Sequence, residues 1–256
     1  MAKKNNFNPV YPEGSIKEYR ALLLKAVRRW QKEALKLIKA ALSQLQDDAI
    51  SSLMSRLRAL WDSQISEIKS EISAVFERLN ERQRAWWVMA LESATGMTAA
   101  LFLSLMRETW LAEEHRTRVE NNTLIVDSIG LAAILAIDAI LRQGFRSGLD
   151  LKVILIQIRP VFERMDKSAE YRARNEIEDH NAALNQQRQQ EANVGGYTWL
   201  ETVSFNPRKH HLKRVGRHYL WSEPPEDGHP GTQPNCKCGA KPDWPQTVYG
   251  IPVINR

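Results

Sequence analysis

Apolar residues recur at helical spacing through much of the first third of the chain. One run begins after Ser15 and Glu18, a pair typical of a helix start, and continues to Leu45. A second run extends from Ile50 to Leu79 and contains neither Gly nor Pro. Because such a pattern makes one face of a helix apolar, each helix needs another element to pack against. The polar break at residues 46–48 therefore predicts two long antiparallel helices.

Helical patterns continue to about residue 193, after which the composition changes. They cover residues 82–93, 98–111, 120–143, 151–158 and 166–193. Gly195 and Gly196 are typical of a helix stop, and the short apolar runs beyond them predict strands at about 197–203, 218–221 and 247–254. We therefore predict a mainly α fold, in which a long-helix bundle is followed by a small, loop-rich α+β module at the C-terminus.

The same boundaries divide the chain into four segments. An N-terminal arm at 1–14 precedes a long-helix region at 15–114 and a second helical region at 115–193. The tail at 194–256 contains short strands and loops, both cysteines and four of the six histidines. We expect the tail to be a separate module, because its Pro and Gly clusters are absent from the helical regions.

Residues 124–141 approach the length of a membrane span. The stretch also contains Asp127 and Asp138, and carboxylates in the middle of a span are costly. We therefore predict a buried helix and no membrane partner. The whole chain, with 43% hydrophobic and 26% charged residues, has the composition of a globular protein.

The most basic stretch is RKHHLKRVGRH at residues 208–218. The net charge of the chain is only +6, so the position of this cluster is more informative than the total charge. Its cations are Arg208, Lys209, Lys213, Arg214 and Arg217. Lys and Arg side chains grouped in this way are typical of contact with DNA phosphates. A solvated loop, or a surface that fits an acidic protein, is the alternative.

Histidine and cysteine side chains in the tail have the chemistry of zinc ligands. The candidates are His211, His229, Cys236 and Cys238. A structural zinc ion could hold together a loop-rich segment that has little core of its own. However, Cys-x-Cys is closer than the usual zinc spacing, and one intervening residue leaves little room for a disulfide. The alternative is two small buried cysteines and surface histidines.

Signals for catalysis are weak. His211, Asn235 and His229 suggest a metal-dependent nuclease, and Glu176 with Asp179 suggests paired carboxylates, but that helix is charged enough for its carboxylates to be solvated. The sequence contains no phosphate-binding glycine loop, nucleophile elbow or HExxH motif. We predict no catalytic residues and a protein that is not an enzyme.

The order of motifs in the tail resembles the closing pattern of the phage Mu F-like head morphogenesis proteins, which are minor capsid proteins of tailed phages. A Trp-containing strand is followed by a basic stretch with His, by Gly, Pro-Pro, Asp-Gly and Pro-Gly, and by Asn-Cys-basic-Cys. The matching residues are Trp199, Arg208, His211, Gly216, Pro224, Pro225, Asp227, Gly228, Pro230, Gly231, Asn235, Cys236, Lys237 and Cys238.

The resemblance extends upstream and covers about residues 115–242, so the segment at 115–193 is the helical part of the Mu F-like region. Residues 120–129 and 145–158 resemble the helical lead-in of the family, and the helix start corresponds to residues 173–176. Two positions depart from the family pattern. Asn175 replaces a Thr, and the acid that often precedes the motif His is missing, with Ser204 and Asn206 nearby.

The resemblance implies a minor capsid protein that is present in few copies. The partners that it implies are the portal protein, the major capsid or scaffold protein, double-stranded DNA and further copies of the chain. The implied location is the virion, inside the capsid near the portal vertex, after assembly in the host cytoplasm. The alternative from another class is a metal-dependent nuclease or toxin-like enzyme on a phage-derived scaffold.

Overall fold

The computed structural model describes residues 9, 11–41, 47–201 and 207–254. Within these ranges, helices account for most of the chain. They are α1 (Glu13–Ala41), α2 (Asp47–Thr95), α3 (Ala99–Leu105), α4 (Leu111–Arg146), α5 (Leu151–Glu191) and α6 (Lys209–Leu212). The predicted mainly α fold is confirmed, and short strands follow the long helices.

The helices are fewer than the sequence pattern predicts; α2 and α5 are longer, whereas α3 is shorter than the predicted run at 98–111. The pattern at 82–93 is the end of α2, and the patterns at 151–158 and 166–193 belong to α5 alone. Pro160 lies inside α5, where it is exposed, so water can solvate the carbonyl group that lacks an N–H partner. Ser15 does not cap α1, which begins at Glu13. Its hydroxyl instead accepts a 2.7 Å hydrogen bond from Arg82.

Helix α5 ends at an asparagine, not at the predicted pair of glycines. Asn193 has a φ of 60°, in the left-handed region. The amide of Val194 donates to the carbonyl of Gln189 at 2.9 Å, and the amide of Asn193 donates to Gln190 at 3.0 Å. This is the Schellman arrangement, in which Asn can take the place of Gly. Gly196 therefore takes no part in the helix end, and it is the first residue of the first strand.

Five short strands follow α5. The strand β1 (Gly196–Leu200) lies between β2 (His218–Leu220) and β3 (Gly239–Pro242) in an antiparallel sheet of order β2-β1-β3. The strands β4 (Thr247–Val248) and β5 (Ile251–Pro252) form a separate antiparallel pair. Four of the five strands lie within the predicted runs or extend one residue beyond them, and residues 202 and 203 of the first run lie outside the described residues. The sequence of β3, GAKP, has no apolar alternation, and the pattern missed it.

The described residues form two compact units. Unit 1 takes its residues from Met1–Ile16, Phe76–His115 and Asn175–Arg256, and unit 2 takes them from Lys17–Val75 and Arg116–Arg174. Each unit therefore combines parts of several of the four sequence segments. In unit 1, the tail residues Tyr197, Trp199 and Trp221 form a buried cluster with both cysteines and Ala240.

The core of unit 2 is built around two tryptophans. The rings of Trp30 and Trp61 meet edge to face with centroids 5.8 Å apart, and Phe162 contacts Trp30 in the same way at 6.3 Å. Gly130 of α4 lies directly against Trp61, since a Cβ atom at this position would come within 2.2 Å of the ring. The tryptophan therefore packs onto the backbone of α4.

Helix α4 contains the apolar stretch noted in the sequence. Among the described residues it is the single unbroken helix long and apolar enough to cross a membrane, and 39% of its most apolar window is buried inside the protein. Asp127 lies 3.0 Å from the Arg58 guanidinium, and Asp138 lies 2.9 Å from Arg142. The first ion pair joins α4 to α2, and the second lies within α4, so both carboxylates of the apolar stretch are paired.

Candidate functional site

Three of the predicted metal ligands meet in the tail of unit 1. The Nδ1 atom of His211 lies 3.5 Å from the Sγ atom of Cys236 and 3.5 Å from that of Cys238. All three residues are buried, with exposed fractions of 3%, 3% and 8% respectively. Both cysteines are free thiols. The arrangement places two sulfur donors and one nitrogen donor around a common point.

Short local structures hold the three side chains in place. Helix α6 carries His211, whose ring meets the edge of Trp199 in β1 with centroids 5.1 Å apart. Asn235 adopts a left-handed φ of 57° immediately before Cys236. The backbone amide of Asn235 donates a 3.0 Å hydrogen bond to the side-chain oxygen of Asn175, and this bond connects the turn to α5. Asn175, which stands where the family pattern has Thr, therefore supports the turn that carries the cysteines.

Asp227 anchors the other side of His211. One oxygen of its carboxylate lies 2.9 Å from Nε2 of His211 and 2.9 Å from Nε2 of His210, and the other accepts a hydrogen bond from Arg214. Burial alone would raise the pKa of Asp227, but the hydrogen bonds from Arg214 and the histidines lower it to about 2. The role of this acid was missed, because Asp227 is separated from His211 in sequence and only the fold brings them together.

His229 lies apart from the three-residue cluster, which changes the predicted ligand set. Its Nδ1 atom is 2.9 Å from the hydroxyl of Tyr197, and the ring also bonds to the backbone of Trp221. Burial lowers the pKa of His229, so the neutral ring is favoured. His229 therefore supports the aromatic cluster of Tyr197 and Trp221, and it is not part of the grouping with the cysteines.

The two thiols influence each other. A hydrogen bond from the Cys238 side chain lowers the pKa of Cys236, and the same pairing raises the pKa of Cys238. The amide of Gly231 also donates to Sγ of Cys236, at 3.4 Å. The site therefore favours one thiolate, stabilised by neighbouring donors.

The five predicted DNA-contacting cations fall into two groups. Lys209, Lys213 and Arg217 are exposed. Arg208 donates to the carbonyl of Pro234 at 2.7 Å, while Arg214 pairs with Asp227 and lies over the ring of Trp199 at 5.1 Å. The first group is available to a ligand in solution, and the second maintains the structure of the tail.

The residues that suggested an enzyme do not converge. Over the described ranges, the groupings suited to a metal ion are His211 with Cys236 and Cys238, and His210 with His211 and Asp227. Neither grouping contains Glu176, Asp179 or His229. Asn235 contributes its backbone amide to the turn described above. Ser204 and Asn206, at the position of the family's acid, lie outside the described residues.

Comparison with known proteins finds a family model and a relative that match part of this chain. Residues 136–241 match the family model described as "Phage Mu protein F like protein". An uncharacterized protein of Haemophilus influenzae is 25% identical over 170 residues, which cover 65% of this chain and 38% of that protein. The chain thus spans well under half the length of this relative, and no solved structure matches it significantly. The match confirms the resemblance to the phage Mu F-like family that the tail motifs indicate.

Proposed function

We propose that the protein is a non-enzymatic minor capsid component of a tailed phage, which docks on the portal or the capsid interior and contacts packaged DNA. The family match over residues 136–241 is the observation that carries this proposal. The proposed location is the capsid interior near the portal vertex. The proposed partners are the portal protein, the major capsid or scaffold protein, and double-stranded DNA.

The exposed cations of the tail support the DNA contact. Lys209 and Lys213 belong to the short α6 segment and its end, and Arg217 immediately precedes β2. Asp227, an acid close to this segment, is already bound by Arg214 and two histidines, so its carboxylate is not available to pair with the three exposed cations. An exposed cluster of this kind attracts a phosphate backbone without regard to base sequence.

An apolar face on α4 supports the docking. Leu124, Leu131 and Leu135 are exposed by 68%, 42% and 63%. Their spacing of seven and four residues places them on one side of the helix. Such a face is typical of helices that lie in an apolar groove of a partner, with anchors at helical spacing. We assign it to the portal or capsid protein.

The salt dependence of DNA binding tests the phosphate contacts. We expect the double variant Lys213→Gln, Arg217→Gln to bind a generic duplex more weakly and to lower the slope of log K against log salt by about 2, since each phosphate contact contributes about 0.9. Arg214 is unsuitable for this test, because its loss would also break the pair with Asp227.

The matched control neutralises two exposed lysines of α5, as Lys152→Gln with Lys167→Gln. This control has the same net charge as the test variant, and we expect it to keep the wild-type slope. An equal slope for wild type, test variant and control would contradict the assignment of Lys213 and Arg217. Undetectable binding of the wild-type protein at low salt would contradict the DNA contact itself.

A further inference from the structure

We propose that His211, Cys236 and Cys238 bind one zinc ion, which holds α6 and the cysteine turn together. The inference concerns the tail alone and does not depend on the proposed function. This ligand set differs from the one that the sequence pattern suggests, because it does not include His229. The three protein ligands leave the fourth coordination position open. Thiolate and imidazole are donors that Zn²⁺ prefers.

The distances between the ligand atoms fit a tetrahedral ion. With Zn–N of about 2.05 Å, Zn–S of about 2.3 Å and a tetrahedral angle, the nitrogen and sulfur atoms should be about 3.6 Å apart. Nδ1 of His211 lies 3.5 Å from both sulfur atoms. The three ligand atoms also lie within 4.8 Å of one another. No side chain has to move far to accept the metal.

The neighbours of the two ring nitrogens of His211 suit a ring that binds a metal ion through Nδ1. The Asp227 carboxylate is an acceptor next to Nε2, so it favours a proton on that nitrogen. The lone pair of the neutral ring is then on Nδ1, which faces both sulfur atoms. Without a metal ion, the Nδ1 lone pair can accept a hydrogen bond from only one thiol and the thiols must also pair with each other, whereas one metal ion can bind the nitrogen and both sulfurs.

The surroundings of the three ligands are those of a metal site. A carboxylate that orients the second nitrogen of a histidine ligand is a common arrangement around zinc. Asp227 has this position, and the amide of Gly231 donates to Sγ of Cys236. Gly231 has a φ of 90°, and a Cβ atom there would lie 2.7 Å from that of Ala182, so the backbone approaches closely in this turn.

The fourth coordination position can be filled by water. Cys236 and Cys238 line a cavity of about 400 Å³, which also borders Gly231 and Ala182. A site with three protein ligands and one water is an established zinc arrangement. The described residues supply no further His, Cys, Asp or Glu ligand atom within the cluster.

The second grouping, His210 with His211 and Asp227, is a poorer cation site. The Arg214 guanidinium already binds the Asp227 carboxylate, and a positive charge at this position opposes a metal ion. The His210 side chain is 55% exposed, so it lacks the enclosure of the cysteine site. The sulfur-containing set is therefore the site that we assign.

A metal ion in this position would stabilise a part of the tail that has little regular secondary structure. Residues 221–238, between β2 and β3, contain no helix or strand. The site connects this stretch to α6 through His211, and thus joins two segments that have few apolar side chains of their own. A structural zinc ion contributes directly to the folding free energy of such loop-rich segments.

Metal analysis of the full chain tests the proposal. We expect the protein, purified without chelators, to contain about one zinc per chain, since structural zinc binds tightly. After removal of the zinc, titration with Co²⁺ should give a thiolate-to-cobalt charge-transfer band that saturates at one equivalent. Cys236→Ser and Cys238→Ser should each lose the bound metal, and Asp227→Asn should weaken binding by about 10- to 100-fold through loss of ligand orientation.

The control variant is His229→Gln, which we expect to retain one zinc and the cobalt band. Wild-type protein without zinc and without a cobalt band would overturn the site, as would a protein 2 Da lighter because of a Cys236–Cys238 disulfide. Full metal retention by Cys238→Ser would overturn the ligand set. If a serine variant fails to fold, the wild-type cobalt spectrum still shows whether the site binds a metal ion. The His229→Gln variant still shows whether His229 is a ligand.

Discussion

His211 and His229 have similar settings in the sequence, but the fold gives them different neighbours. Both lie among Pro, Gly and basic residues, and residue chemistry alone makes both candidate ligands. In the structure His211 faces two sulfur atoms, whereas His229 faces the Tyr197 hydroxyl. The sequence could therefore predict that histidine and cysteine side chains are the candidate metal ligands of the tail, and the structure brings three of the four together. It could not separate the two histidines or pair Asp227 with His211, because both depend on contacts between distant residues.

The lowered pKa of His229 predicts a specific pH dependence of stability. Burial disfavours the protonated ring in the folded protein, so below the ordinary histidine pKa of about 6.5 the unfolded chain binds the proton more strongly. The contribution of His229 is therefore complete above about pH 6.5 and is lost as the pH falls below it. We expect urea denaturation to show that the stability difference between wild type and His229→Gln shrinks from pH 7.5 to pH 5.5.

Tyr197 provides the comparison for this experiment. Its hydroxyl is the partner of His229, and its own pKa is raised above the ordinary value by burial, so it stays protonated across this pH range. Tyr197→Phe should therefore lower stability. The double variant Tyr197→Phe, His229→Gln should show a pH profile of the same shape as that of His229→Gln alone. A wild-type to His229→Gln difference that grows towards low pH would contradict the assigned direction.

At the scale of elements, periodicity predicts which segments are helical but not where each helix ends. The apolar pattern from Ile50 onward identifies α2, and the end of α5 depends on a single left-handed residue, Asn193. Pro160 suggests a break that does not occur, since its position on α5 is exposed. The pairing partner β3 has no pattern of its own and forms because β1 offers it a free edge. Such features depend on neighbours that the local sequence does not contain.

The packing of α4 on Trp61 makes Gly130 a sensitive position. A methyl group there would meet the indole ring at 2.2 Å, so the helix or the ring has to shift. Overpacking of this kind costs about 1–3 kcal/mol, and the better helix propensity of Ala returns up to about 1 kcal/mol. We expect Gly130→Ala to lower the free energy of unfolding by about 1–2 kcal/mol, measured by urea denaturation.

Ser128→Ala is the matched control on the same helix, because Ser128 is exposed. Its effect should stay within about 0.5 kcal/mol, as for most surface substitutions. A Gly130→Ala protein as stable as the control or more stable would contradict the close contact between α4 and Trp61.

At the scale of the whole molecule, the two compact units explain why linear segments describe the chain incompletely. Composition separates the tail from the helices, and the family match ends near the same place as β3, at residue 241. However, the units are assembled from separate stretches, which composition cannot pair. The ordered motifs of the tail were informative about the family because their spacing reflects one local structure, the turn and strands around His211, Cys236 and Cys238.

Quantitative mass spectrometry of purified particles tests our proposal that the chain is a component of the phage head. The chain should be counted against the portal and major capsid proteins in proheads and in mature particles. We expect a fixed, low ratio to the portal protein, and a lower ratio for Leu131→Gln with Leu135→Gln if the exposed face of α4 docks. Absence of the wild-type chain from both proheads and mature particles would contradict a role in the phage head.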